Sequence, residues 1–156
     1  MNQESSTMNK IIRTDIKNSD FLRLISELDA YLMITDGDDH EFYNQFNTLE
    51  KIKNVVIAYQ DAKPIGCGAF RAIDTNTVEI KRMFVKKKYR GTKTASSILQ
   101  ALEGWASEEG FKKCILETGD RQVEAINFYI KSGYIKIANY GQYAQMDNSN
   151  CFEKLV

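Results

Sequence analysis

The residues that invite chemistry begin at a basic run, Lys86-Lys-Lys-Tyr-Arg90, followed at once by Gly91-Thr-Lys-Thr-Ala95. A strand-like stretch precedes this run, and apolar residues spaced by three and four follow it. At such a strand-to-helix junction the first helical turn leaves backbone N–H groups without partners, and the positive end of the helix dipole adds to them. That combination takes anions, phosphates above all. Groups able to exchange protons flank the junction: Glu79 before it, Glu117 and Tyr129 after it. Metal and disulfide chemistry have little to work with. There is one histidine, His40, and the three cysteines, Cys67, Cys114 and Cys151, are far apart. An odd, scattered set is neither a disulfide framework nor a metal-ligand spacing, so the thiols read as reduced, small and buried.

Composition bounds the partners. A chain of 156 residues suits one domain over 1–156, with 1–9 as a loose N-terminal segment. At that size roughly 68–70% of the unfolded chain's surface is buried on folding, enough for a core without staples. Twenty-one basic residues balance twenty-one acidic ones, which leaves no electrostatic footprint for nucleic acid or an anionic membrane. No apolar run approaches the ~20 residues of a membrane span, and the polar start MNQESSTMNK does not read as a signal peptide. The expected location is the cytoplasm.

The elements that must position these groups follow from periodicity. Lys10–Ile16 is a strand candidate. Ser19 or Asp20 can cap a helix whose apolar positions, Phe21, Leu24, Ile25, Leu28, Tyr31 and Leu32, paint one face. Thr35–Asp39 interrupts it, and a second short helix is expected over His40–Phe46. Strands follow at Val55–Tyr59, Ile65–Ile73 and Thr77–Val85, with turns at Asp61–Pro64 and Asp74–Asn76. From Thr94 the spacing of Ala95, Ile98, Leu99, Leu102, Trp105 and Ala106 gives a helix closed by Gly110. Lys113–Glu117 is a strand, Asp120–Lys131 a helix ended by Ser132-Gly133, and Tyr134–Ala138 and Cys151–Leu155 are strands. Antiparallel strands first and a β-α-β unit after them give an α/β fold with a mixed central sheet and helices on both faces.

Three blocks in this order resemble the GNAT acetyltransferase family. The first is the strand Glu79–Val85 with its basic loop and helix, similar to the family's Arg/Gln-x-x-Gly-x-Gly/Ala motif. It reads Arg90-Gly-Thr-Lys-Thr-Ala95, with Lys93 where the family has its internal glycine. The second is the strand Lys113–Gly119. The third is Gln122–Tyr134, similar to an Ala-x-x-x-Tyr-x-x-x-Gly-Tyr/Phe pattern. The likeness runs from about Val55 to the C-terminus; the first ~50 residues match only in general helical character.

The resemblance implies an acetyl-CoA-dependent N-acetyltransferase without a metal. The loop Arg90, Gly91, Thr92, Lys93, Thr94, Ala95 and Ser96 would hold the diphosphate. Met83, Phe84 and Val85 would splay from Lys113–Glu117 and pair with the pantetheine arm, one amide of Met83 or Phe84 polarising the acetyl carbonyl. Asn127 would contact the arm, and Tyr129 would protonate the departing sulfur. An amine must lose its proton to attack, a penalty of about 4–5 kcal/mol for a lysine-like group at pH 7. Glu79 is the first candidate base, expected to share a sheet face with Lys81, Met83 and Val85. Glu117 is the second and His40 the third. The acidic run Asp36–Glu41 and the segment Gly141–Ala144 are candidate walls for the acceptor. A small-molecule amine is the expected acceptor, with a homodimer as a possible assembly. A protein acceptor and a non-catalytic coenzyme-A-binding module remain alternatives.

Overall fold

The computed structural model describes residues 9–39 and 48–156. Seven strands form one sheet: β1 (Asn9–Thr14), β2 (Ile52–Gln60), β3 (Lys63–Ala72), β4 (Thr77–Val85), β5 (Lys113–Gly119), β6 (Ile135–Ile137) and β7 (Ser149–Leu155). Their order across the sheet is β1-β2-β3-β4-β5-β7-β6. Every neighbouring pair is antiparallel except β4 and β5, which run parallel. Helix α1 (Ser19–Asp36) covers one face; α2 (Thr94–Glu108) and α3 (Val123–Lys131) cover the other. Among the described residues no helix is long and apolar enough to cross a membrane.

Two local expectations about α1 need correction. Its cap is Asn18, not Ser19 or Asp20. Asn18 is extended, and its side-chain oxygen accepts from the backbone N–H of Asp20 at 2.8 Å and of Phe21 at 3.1 Å. Asp20 instead receives the Tyr59 hydroxyl at 2.6 Å, which holds its carboxyl below the usual carboxylate range. The helix also runs through Thr35 and Asp36 and stops at Gly37, whose φ of 56° leaves the helical region. The helix expected over His40–Phe46 lies outside the described residues. Between β2 and β3 the turn shrinks to Asp61 and Ala62, both with positive φ, and Pro64 joins β3 opposite Tyr59. Two left-handed residues in a two-residue hairpin match the strand twist.

Each face has its own core. Phe21, Leu24 and Ile25 of α1 pack on Val55, Ile57, Cys67 and Ala69. Ile98, Leu99, Leu102 and Ala106 of α2 pack on Val56, Ile65, Phe70 and Ile80, and Tyr129 of α3 joins them. Residues alternate between faces along a strand, so Val78 and Ile80 of β4 point to α2 while Glu79 and Lys81 point to the α1 side.

Strand β4 then breaks its own alternation. Cys67 pairs with Phe84 and Ala69 with Lys81, so Arg82 and Met83 together stand opposite Gly68. This is a β-bulge, with Arg82 at φ 60°. It reverses the parity of the strand: Met83 and Val85 pack toward α2, and Phe84 toward the α1 side. Glu79 and Lys81 therefore do not share a face with Met83 and Val85, contrary to the simple alternation expected from sequence. Gly68 is what lets the bulge pack. A Cβ there would meet Met83 Sδ at 2.6 Å and Leu102 Cδ1 at 2.8 Å.

Candidate active site

Parallel pairing of β4 with β5 lasts only through Thr77–Lys113, Val78–Cys114 and Glu79–Ile115. Beyond it β4 stays with β3 and β5 stays with β7, so the two strands part. The gap is a cleft of ≈ 130 Å³ walled by α1, β4, β5 and α3, with Tyr143 alongside. Because it passes through the sheet, its two mouths carry different residues. Met83, Ala125 and Tyr129 line it from the α2–α3 face; Glu79, Lys81 and Glu117 line it from the α1 face.

Tyr129 is buried, edge-on to the rings of Phe128 at 5.1 Å and Tyr134 at 5.7 Å. Its hydroxyl makes no hydrogen bond among the described residues. Burial pushes its pKa well up, so it stays protonated across the working pH range.

The two strand carboxylates differ sharply. Glu79 is 1% exposed and fully engaged. Arg71 Nε donates to it at 2.9 Å, the Tyr140 hydroxyl donates at 2.6 Å, and Lys81 Nζ lies at 3.7 Å. Glu117, by contrast, has a buried Oε2 with no partner. Burial raises its pKa to about 7, while a hydrogen bond from Ser149 and the charge of Lys81 pull it partly back. A carboxyl poised near neutrality at a cleft is what proton abstraction requires. We expect Glu79→Gln to be foremost a stability lesion, because an amide cannot serve Arg71 and Tyr140 as the carboxylate does. The loss should be about 2–4 kcal/mol, or roughly 5–15 °C in melting temperature. An unchanged melting temperature with a rate defect confined to low pH would return Glu79 to the role of base.

The junction ahead of α2 has the form of an anion site. Lys86 leads into a 3-10 turn over Lys87–Tyr89; Ser97 N–H is the first in α2 to reach a carbonyl, Lys93 O at 3.0 Å. The amides of Ala95 and Ser96 precede it and have no intrahelical acceptor. Thr92 Oγ1 contacts Thr94 Oγ1 at 2.9 Å and donates to Tyr89 O at 2.5 Å. Beside the loop there is room, since a Cβ on Gly91 would meet nothing within 4 Å. Lys93, at the position of the family's internal glycine, is left-handed at φ 67°, a region that favours glycine. Lys93→Gly should therefore leave the melting temperature nearly unchanged, relief of strain offsetting the added freedom of the unfolded chain. Lys93→Val should lower stability by about 1–2 kcal/mol, since a β-branched residue resists the left-handed region. Equal melting temperatures for the two variants would show that the loop has another conformation.

Other residues singled out from sequence lie as follows. Arg90 is exposed; its Nε donates to Val85 O at 2.9 Å, and its guanidinium sits 5.4 Å from the Tyr31 ring and 5.9 Å from that of Phe84. Phe84 packs toward α1 and Val85 is core, and neither lines the cleft. Asn127 is exposed and does not line the cleft. Asp36, the first residue of the acidic run, and Tyr143, in Gly141–Ala144, both do. His40 and Glu41 lie outside the described residues. Tyr140, Arg71 and Ser149 were not candidates, and nothing local to them signals a reach to β4 or β5; Arg82, within β4, was not one either, and it reaches α1. All three cysteines are buried and free, and burial raises Cys67 and Cys114 to about 12 and Cys151 to about 11, too high for nucleophiles at neutral pH. Among the described residues no group of His, Cys, Asp and Glu is placed to hold a metal.

The comparisons agree with this architecture. The model of the acetyltransferase (GNAT) family matches residues 21–134. An IAA acetyltransferase of Azospirillum brasilense is 33% identical over 136 residues, 85% of this chain and 88% of the relative. A solved structure from Klebsiella pneumoniae subsp. pneumoniae MGH 78578, described as an acyl-CoA N-acyltransferase, superposes with a TM-score of 0.80 at 25% identity, covering 95% of this chain and 97% of that one. A GNAT acetyltransferase from Elizabethkingia anophelis, solved with acetyl-CoA bound, shares the fold at 17% identity and a TM-score of 0.71, covering 95% and 98%. With its sheet parted between β4 and β5 and its loop leading into α2, the chain belongs to the GNAT family of acetyltransferases.

Proposed function

We propose that the protein moves the acetyl group of acetyl-CoA onto a primary amine by direct attack. The observation that carries this is the through-sheet cleft, with a protonated Tyr129 at one mouth and the Glu117 carboxyl, its Oε2 without a partner, at the other. Acetyl-CoA, which the Elizabethkingia relative holds, would supply the acyl thioester. The Arg90–Ser96 loop suits its diphosphate through backbone amides and the α2 dipole. The β4 edge at Met83–Val85, which β5 leaves after Glu79, suits its arm, and an amide there would stabilise the developing oxyanion. Tyr129 Oη holds the proton that the departing sulfur takes up. Glu117 Oε2 takes the proton from the attacking nitrogen. A cleft enclosed by α1, β4, β5 and α3 suits a small-molecule acceptor rather than a folded protein, in keeping with a structural relative that is an aminoglycoside 6'-N-acetyltransferase.

Thermal melting with coenzyme A tests the first half. At one hundred times the dissociation constant the fold should gain about 2.7 kcal/mol, a rise of roughly 5–10 °C. Thiol release from acetyl-CoA over a panel of amines tests the second. Absence of any shift at millimolar coenzyme would overturn the proposal.

A further inference from the structure

The bulge in β4 does something a regular strand cannot. Neighbouring residues normally point to opposite faces, yet Lys81 and Arg82 both lie on the α1 side and both line the cleft. Lys81 meets Glu79 only at 3.7 Å, and Glu79 is already held by Arg71 and Tyr140. Arg82 is more telling. Its side chain is 2% exposed, and only Nη2 is satisfied, by Asp29 Oδ1 at 2.6 Å and Ile25 O at 3.4 Å. Nε and Nη1 are buried without any partner. Buried guanidinium N–H groups are costly to leave unpaired, and they match a carboxylate better than any neutral group.

We infer that the acceptor amine also carries a carboxylate, which seats on Arg82 Nε and Nη1 beside the Lys81 ammonium. The acceptor class is thus an amino acid or a similar amino-carboxylate. Its nitrogen approaches Glu117, and Leu28 and Leu32 of α1 provide an apolar wall for the rest of it. This inference rests on the acetyl-transfer reading for the nitrogen's fate, but not for the carboxylate's seat.

The test uses matched pairs: leucine against 3-methylbutylamine, and phenylalanine against 2-phenylethylamine. Each is titrated calorimetrically into the protein saturated with coenzyme A, and each is assayed for thiol release from acetyl-CoA. The amino acids should bind at least tenfold tighter than the amines lacking the carboxylate, the size of one charge-assisted hydrogen bond. In Arg82→Gln that preference should collapse. Should this variant fold poorly, Asp29→Asn provides the second reading: the more exposed partner is lost, Arg82 is freer, and the preference for the carboxylate persists. Equal binding of both members of each pair, or binding of neither, overturns the inference even if acetyl transfer is intact. Amino acids that bind through Arg82 and are never acetylated would uphold the carboxylate seat and remove the acetyl-transfer reading instead.

Discussion

Glu117→Gln should cost the protein about 10²–10³-fold in kcat/KM at pH 7 while making it harder to melt at pH 8. The amide keeps the shape and part of the bond to Ser149 but cannot accept the amine's proton. In the parent, kcat/KM should climb with pH and level off above about 7, where burial has placed the carboxyl. In the variant that inflection should be absent, with rate recovering only as free amine becomes abundant at high pH. The stability change follows from the same shift. The folded carboxyl holds its proton up to about 7, against an ordinary value of 4.5. The stability this lends is complete below the unfolded value and is lost as pH rises through about 7. Above that, the ionised, desolvated group weakens the fold by up to about 3 kcal/mol. The variant should therefore outlast the parent at pH 8, and the difference should vanish near pH 4–5. A variant with the parent's pH–rate profile would leave the proton to solvent and Glu117 to packing.

Tyr129→Phe should lower turnover about 10²–10⁴-fold and leave coenzyme affinity nearly intact. The ring keeps its edge contacts with Phe128 and Tyr134. Removing a hydroxyl that makes no hydrogen bond among the described residues should not lower the melting temperature. Burial keeps the tyrosine protonated throughout, so of these two side chains only Glu117 should give the parent's profile an inflection. Full turnover in the phenylalanine variant, with chemistry shown to limit the rate, would assign Tyr129 to packing alone.

What was legible in the chain is what short range decides. The apolar spacing of α1, α2 and α3 follows from helical geometry. Ala125, Tyr129 and Gly133 fall on one α3 pattern, and the first two do line the cleft. The mixed sheet followed from antiparallel strands and one β-α-β unit. The bulge was not legible, because nothing in Lys-Arg-Met marks one residue for a left-handed turn; the glycine that accommodates it, Gly68, lies fourteen residues before Arg82 and packs under α2. The ranking of the two carboxylates was hidden for a similar reason. Glu79 is occupied by Tyr140, 61 residues distant, and Glu117 is raised by burial that four separate elements create. Asn127 lies two residues before Tyr129, about 200° around the helix, so it is exposed where Tyr129 faces in.

The extra residue in β4 also acts as a seam in the chain's freedom to diverge. Upstream of it, Glu79, Lys81 and Arg82 look toward α1 and the mouth proposed for the acceptor; downstream, Met83 and Val85 look toward α2 and the side proposed for the coenzyme. A substitution at Lys81 or Arg82 can retune what is accepted without disturbing how the donor is gripped, so the two specificities can evolve, or be engineered, as separate modules. Length is a different matter. Deleting Arg82 would restore regular alternation with Lys81 still toward α1 and Met83 still toward α2, so the loss would be the second cation on the α1 side.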